Sequence, residues 1–517
     1  MSYEKAFTRF KNVLDEEKII QDKESAYIYG ANTNASTRIV RGALLPKTIH
    51  EIQKILQIAN EELTPLYPIS TGHNWGYGTS LPVKEDNIIL DLSLMNNILD
   101  FDKKLGIVTV EPGVTQQILY EYLKKHNLPF IVPVTGAGPK GSLLGNTLER
   151  GFGITPVSDH FSAMTTITAV LADGTIYNSP LEEYGCPKID QLYRYGVGPY
   201  LDGMFTQSNF GVVTKMTITL AREPEQTDIF YFSLTSHQEL QEITNILPEL
   251  LSTLGVMTTG IKFVNKYQMQ AMIKNETKKG TKSTTFPEWT ASGMLFGDPI
   301  LVAAAKKVIK KTLAKKTHHL FFLNAHFFKR YSNTLLSLPM PTTIRASLVT
   351  LDFIVDLFLG KPSTAALPLA YIGSGILPEK RNATDPGKDG AGIMWFSPLL
   401  PMDGIIVVKF TKLIEAIYKK YAIPQLITFT TVNDRCFDAP LPITFDKNNP
   451  ESVKAAKACY DELWNESLKM GITPYRLPVD EHHRVTESGT PFWDIAQKIK
   501  DVLDPNNIIA PGRYSKK

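Results

Sequence analysis

The chain has 517 residues, of which 43% are hydrophobic and 21% charged. This excludes a disordered or collagen-like polymer and allows more than one domain. Lys and Arg number 55 against 52 Asp and Glu, a net charge of +3, which is too small a cationic excess for a nucleic-acid binder. Three cysteines (Cys186, Cys436 and Cys459) are too few for a disulfide framework or a zinc knuckle, and they point to a reducing, cytoplasmic setting.

In chain order, residues 1–14 are polar and charged, without the apolar stretch of a secretory signal. Apolar residues at Ile52, Ile55, Leu56 and Ile58 predict an amphipathic helix over 49–61. Residues 66–70 read as a strand entering a turn. Strands follow at 87–92 and 106–111, the second stopped by Pro112-Gly113. A helix over 115–126 starts at Thr115, and 163–171 and 212–221 are β-branched and alternate as strands do. Glycine density falls near 223–226. From 228 to 472 strands alternate with longer helices, such as 299–313 and 409–422, and a glycine-rich loop lies at 387–392. No apolar run reaches the ~20 residues of a membrane span. The nearest, 346–360, is broken by Asp352 and Asp356 and reads as a buried or amphipathic helix. Mixed elements with short connections predict an α+β fold, divided at 1–225, 226–472 and a C-terminal segment 473–517.

Chemistry concentrates in glycine-rich stretches. Ser70-Thr71-Gly72-His73-Asn74 follows a strand and continues through Trp75-Gly76-Tyr77-Gly78. A second stretch, 139–153, holds Gly145, Asn146 and Gly151. A third runs through Tyr195-Gly196-Val197-Gly198 to Ser208, Gly211 and Val213. Glycine lets the backbone approach a ligand closely, and successive peptide N–H groups form nests that hold phosphate. Three such loops beside strands suit a long cofactor lying extended over small residues. His482-His483 makes no metal pair, because adjacent residues do not face one ligand, and both read as exposed polar residues; no metal is expected.

These stretches, with Val110-Glu111-Pro112-Gly113-Val114, Met394-Trp395-Phe396-Ser397-Pro398, Tyr475-Arg476 and residues 504–513, resemble the vanillyl-alcohol oxidase and p-cresol methylhydroxylase family of flavoproteins, in order and over nearly the whole chain. The resemblance implies a discontinuous PCMH-type FAD-binding domain, completed by the C-terminal segment, and an antiparallel-sheet cap domain over the flavin. Ser70, Thr71, Gly72, His73 and Asn74 match the pyrophosphate loop. Gly145, Asn146, Gly151, Ser208, Gly211, Val213 and Arg513 match further FAD-lining positions. More distant relatives, the berberine-bridge and oligosaccharide oxidases, join the flavin to a histidine at the position of His73. The cap stretch 428–440, where close relatives carry the flavin on His or Tyr, holds neither, so either His73 carries FAD or FAD is held without a covalent bond. Cys436, the other nucleophile nearby, reads as a small buried residue.

Tyr77, Tyr475 and Arg476 match the trio that binds the ionised oxygen of a 4-alkylphenol. Two hydroxyl donors and a guanidinium favour phenolate over phenol, and phenolate eases hydride loss from the benzylic carbon. The resemblance therefore implies an FAD-dependent oxidase or dehydrogenase of small aromatic substrates, with O2 or a cytochrome c-like protein as acceptor. A flavoenzyme of carbohydrates, hydroxy acids or secondary metabolites, and a flavin-binding protein without turnover, are the alternatives. Two positions depart from the pattern. Ala137 stands where an oxidase relative has an aspartate by flavin N5, and Leu477-Pro478 follows Arg476 where relatives often have histidine. Members of the family are often homodimers, an assembly that nothing in this sequence specifies. Neither nucleic acid nor membrane is an expected partner.

Overall fold

A computed structural model describes residues 3–276, 286–364, 366–376, 381 and 385–516. Strands Ile19–Gln21 (β1), Val40–Leu44 (β2), Leu66–Ile69 (β3) and Asn87–Asp91 (β4) form a sheet in the order β1-β2-β4-β3, with β2 and β3 parallel to β4. Every residue of β4 is buried, as expected of a central strand in a parallel arrangement. Its Ile88, Ile89 and Leu90 share a core with Ile52, Ile55 and Leu56 of helix Ile49–Glu61 (α1). A capping box between Thr48 and Glu51 fixes where α1 begins.

The second sheet is antiparallel, from Ile98–Asp102 (β5), Ile107–Val110 (β6), Met164–Val170 (β7), Ile176–Asn178 (β8) and Val212–Thr219 (β9), in the order β5-β6-β9-β7-β8. Helix Gln116–Lys125 (α2), capped by the Thr115 side chain, packs Leu119 and Leu123 into its core.

A nine-stranded antiparallel sheet fills the middle of the chain. It comprises Gln226–Leu234 (β10), Thr258–Asn265 (β11), Trp289–Gly297 (β12), His318–Asn324 (β13), Ala391–Pro401 (β14), Thr428–Thr431 (β15), Cys436–Asp438 (β16), Leu441–Asp446 (β17) and Pro474–Arg476 (β18). The order is β13-β10-β12-β11-β15-β16-β14-β17, with β18 also on β14. Side chains alternate between its faces. Phe230, Phe232, Ile261, Phe263, Ala291, Phe429 and Phe437 point into the largest core, against helices His237–Leu254 (α3), Pro299–Leu313 (α4), Gly404–Lys420 (α5) and Pro450–Lys469 (α6). Their neighbours Tyr231, Lys262, Ser292, Thr430 and Asp438 line a cavity on the opposite face. Helix α5 begins five residues before the predicted start, because Asp403 caps it by accepting from Ile405 and Ile406 N–H.

The C-terminal tail returns to the first sheet. Leu66 N–H donates to Ile508 O, and Ala510 N–H to Leu66 O, both at 2.7 Å. Lys500, on helix Pro491–Leu503 (α7), has no exposed surface. Its ammonium donates to Asp504 Oδ2 (2.5 Å), Asn209 O (2.8 Å) and Ile509 O (2.9 Å), so the tail and the 208–213 loop are tied to one buried cation. Sequence places both histidines of the 482–483 pair at the surface; the structure buries His482. Its ring stacks on Tyr514 at 4.1 Å, a contact made by the returning tail and invisible locally. No described helix is long and apolar enough to cross a membrane.

Candidate active site

One cavity of about 840 Å³ opens between the N-terminal sheets and the free face of the cap sheet, near the upper end of the ~300–1,000 Å³ range of ligand pockets. All the residues singled out for cofactor or substrate line it: the loop 70–74, Tyr77, Gly145, Asn146, Gly151, Ser208, Gly211, Val213, Tyr475, Arg476 and Arg513. The stretch 195–200 does not. It lies at the surface, where Tyr193, Tyr195 and Tyr200 pack edge to face. Its glycines serve turns with positive φ at Gly196 and Gly198. Cys436 also misses the cavity and is half-buried on β16.

The loop after β3 is open to a ligand. Among the described residues, no peptide N–H of 70–74 is bonded to another protein group. Gly72 adopts φ +67°, which a side chain rarely takes. His73 is half-buried, with its Nδ1 shielded from water and unpartnered and its ring edge-on to Trp75 at 5.3 Å. Burial pushes its pKa down, which favours the neutral imidazole, and a hydrogen bond with the Thr71 backbone opposes the shift only in part. Against this loop, Ser142 caps the short helix Leu143–Leu148 by accepting from Gly145 N–H, and a Cβ on Gly145 would stand 2.4 Å from Ser70 Oγ. A free nest, closely packed small residues and an orphaned imidazole nitrogen on one wall suit an extended dinucleotide. These residues fit FAD.

At the cap end, Arg476 Cζ lies 4.1 Å from the Tyr77 ring centroid. Its Nη2 donates to Asn74 Oδ1 at 2.6 Å, and Nε stands 3.2 Å from Glu149 Oε2, an ion pair short of hydrogen-bond geometry. Glu149 Oε1 pairs with Arg513 Nη2, and Arg513 Nη1 donates to Tyr67 Oη at 2.8 Å. A single buried carboxylate thus compensates both arginines. Tyr77 Oη is 2.6 Å from Ser397 Oγ on β14, and burial pushes its pKa up to about 12 against the opposing pull of Arg476. Burial raises Tyr475 well above the ordinary tyrosine value. Both phenols therefore stay protonated, as donors toward an anion.

Glu149, Ser397, Lys262 and Asp438 were not identified from sequence. Glu149 sits inside the glycine-rich stretch without a signal of its own. Lys262, between Ile261 and Phe263, reads as the solvent face of a strand, whereas that face is the cavity wall. Asp438 is buried with Oδ1 unbonded, and burial lifts its pKa to about 7. Ala137 lines the cavity and its carbonyl accepts from Trp75 Nε1 at 3.1 Å.

Residues 40–179 match a family model described as an FAD binding domain. The chain is 30% identical to the 1'-carboxy-chondrochloren decarboxylase of Chondromyces crocatus, over 99% of this chain and 97% of that one. It is 28% identical to the 4-cresol dehydrogenase [hydroxylating] flavoprotein subunit of Pseudomonas putida, over 99% and 95%. The structure superposes on p-cresol methylhydroxylase with substrate bound at a TM-score of 0.85, with 25% identity and 99% and 96% coverage. With the cavity, its FAD-fitting wall and these full-length likenesses together, the chain belongs to the vanillyl-alcohol oxidase and p-cresol methylhydroxylase family and is an FAD-dependent oxidoreductase.

Proposed function

We propose that the protein oxidises a para-substituted phenol at the carbon attached to the ring. The observation that carries this is the placing of Tyr77, Tyr475 and Arg476 on the same cavity as the FAD-fitting loop. Tyr77 and Tyr475 donate to the phenol oxygen, and Arg476 supplies the charge that keeps it ionised. The 70–74 loop would hold FAD, which would supply the two-electron acceptor for the benzylic hydride, with O2 or a cytochrome-like protein as the final acceptor. Glu149 holds Arg476 in place, and the cap sheet keeps water from the reacting carbon. If FAD is bonded covalently, neutral His73, with Nδ1 unpartnered, is the residue that would carry it; otherwise FAD would be held without a bond.

A second reading keeps the hydride step and changes the fate of the oxidised substrate. Ala137 offers no carboxylate to activate water, and the full-length likeness to a decarboxylase supports loss of CO2 instead. Hydride loss leaves a quinone methide. A carboxylate on the next carbon then departs as CO2, and the electron pair of the broken C–C bond forms the side-chain double bond and restores the aromatic phenolate.

Anaerobic mixing with 4-alkylphenols, (4-hydroxyphenyl)alkanoates, sugars and 2-hydroxy acids tests these readings. Phenols bleach the flavin if the first holds, and release CO2 from acids of the right length if the second holds. Bleaching by sugars or hydroxy acids alone overturns both.

A further inference from the structure

Across the cap sheet, residues on the cavity face fall into one transverse row. Asp438 on β16 pairs with Thr430 on β15, Thr430 with Lys262 on β11, Lys262 with Ser292 on β12, Ser292 with Tyr231 on β10, and Tyr231 with Phe321 on β13. All six line the cavity. Strands lie ~4.8 Å apart, so Lys262 is ~10 Å from Asp438 along the row and Tyr231 ~10 Å further. Beyond Asp438 the next strand is β14, through Leu399, and two residues away on that strand Ser397 pairs with Arg476. The row therefore begins beside the Tyr77–Tyr475–Arg476 group and leads away from it.

Lys262 is the unusual member. Its side chain is accessible yet surrounded by protein, because it projects into the cavity and not into bulk water. Burial lowers its pKa. Among the described residues it has no hydrogen-bond or ion-pair partner, and Asp438 acts on it only through space. Thr430 and Ser292 place a hydroxyl on either side of it. A cationic head that lines a walled cavity with no protein counter-charge is placed to take an anionic group of a ligand. Beyond it the row becomes aromatic, with Tyr231 and Phe321 stacked at 5.0 Å and 27°.

We propose that Lys262 is a carboxylate-binding subsite, and that the substrate is an elongated phenol whose side chain runs along this row with its carboxylate on the Lys262 ammonium. The inference rests on the phenol reading for the position of the ring. It adds an anionic group, the distance at which it is read, and an apolar surface beyond. Asp438 does not repel that group, since burial keeps it protonated up to about pH 7.

The test uses holoenzyme and equilibrium perturbation of the flavin absorption, which needs no turnover. A graded series of ω-(4-hydroxyphenyl)alkanoates is compared with the corresponding ω-(4-hydroxyphenyl)alkyl methyl ketones, which have the same length and no charge. One chain length should bind wild type ~10- to 100-fold tighter than its neutral counterpart, the range of a charge-assisted hydrogen bond in an enclosed site. That ratio should fall to about 1 in Lys262→Met and persist in Lys262→Arg, with melting temperatures reporting folding. Equal binding of acids and ketones by wild type, or a ratio unchanged in Lys262→Met, overturns the subsite even if 4-alkylphenols bleach the flavin. Lys262-dependent binding of acids with no bleaching by any phenol keeps the subsite and overturns the phenol reading.

Discussion

The Arg476 guanidinium faces the Tyr77 ring at 4.1 Å, so the residue proposed to polarise the substrate oxygen also holds its proposed partner by a cation–π contact. Arg476→Ala should lower the rate of anaerobic flavin reduction by a phenol ~100- to 1,000-fold, the cost of removing a preorganised charge from a water-poor site. FAD content should be retained. Arg476→Lys restores the charge without the planar face and should recover only part of the rate. Stopped-flow reduction traces check both.

Glu149 is the common partner of Arg476 and Arg513. Glu149→Gln leaves two largely buried guanidinium groups uncompensated and should destabilise the protein by about 3 kcal/mol. FAD retention should fall with it, since Arg513 loses its alignment. Thermal denaturation of apo- and holoprotein separates the two effects.

Burial raises the Asp438 carboxyl from 3.8 to about 7, and Lys262 and Arg476 only partly oppose it. The folded chain then binds more protons than the unfolded chain between about pH 4 and 7. The stability this group contributes is complete below about pH 4 and is lost as pH rises through about 7. Asp438→Asn should flatten that part of the stability–pH curve, measured as denaturant midpoints from ~pH 5 to 8. A group titrating near 7 beside Arg476 also suits a proton acceptor. The rising limb of flavin reduction by phenols near pH 7 should be missing from the variant.

His73 presents a half-buried, neutral imidazole whose Nδ1 is shielded and unpartnered. Acid precipitation of the holoprotein should leave the yellow colour with the polypeptide. In His73→Ala the colour should move to the supernatant, and the flavin midpoint potential should fall. Colour already in the supernatant for wild type would show that FAD is held without a bond.

Much of the fold was legible where the determinants are local. Helix α1 has its capping box and α4 its Asp298-Pro299 start, and both match their predicted spans. The α+β class followed from strand and helix periods. The residues of the site were legible only through likeness to the family, since no spacing joins Tyr77 to Arg476. Lys262 and Asp438 escaped because their meaning depends on which strand lies beside which, and those pairings link positions ~170 residues apart. His482 escaped for the same reason: what buries it is Tyr514, brought in by the tail.

The cation of Lys500 has a consequence for how the molecule is made. The loop carrying Ser208, Gly211 and Val213 leaves the ribosome long before the residues that anchor it, as does β3, which waits for Ile509. An early part of the fold is thus completed by a late part of the sequence. Chains lacking 491–516 should hold a cofactor wall without the backbone that pairs with Leu66, so loading with FAD should wait for that segment to fold back.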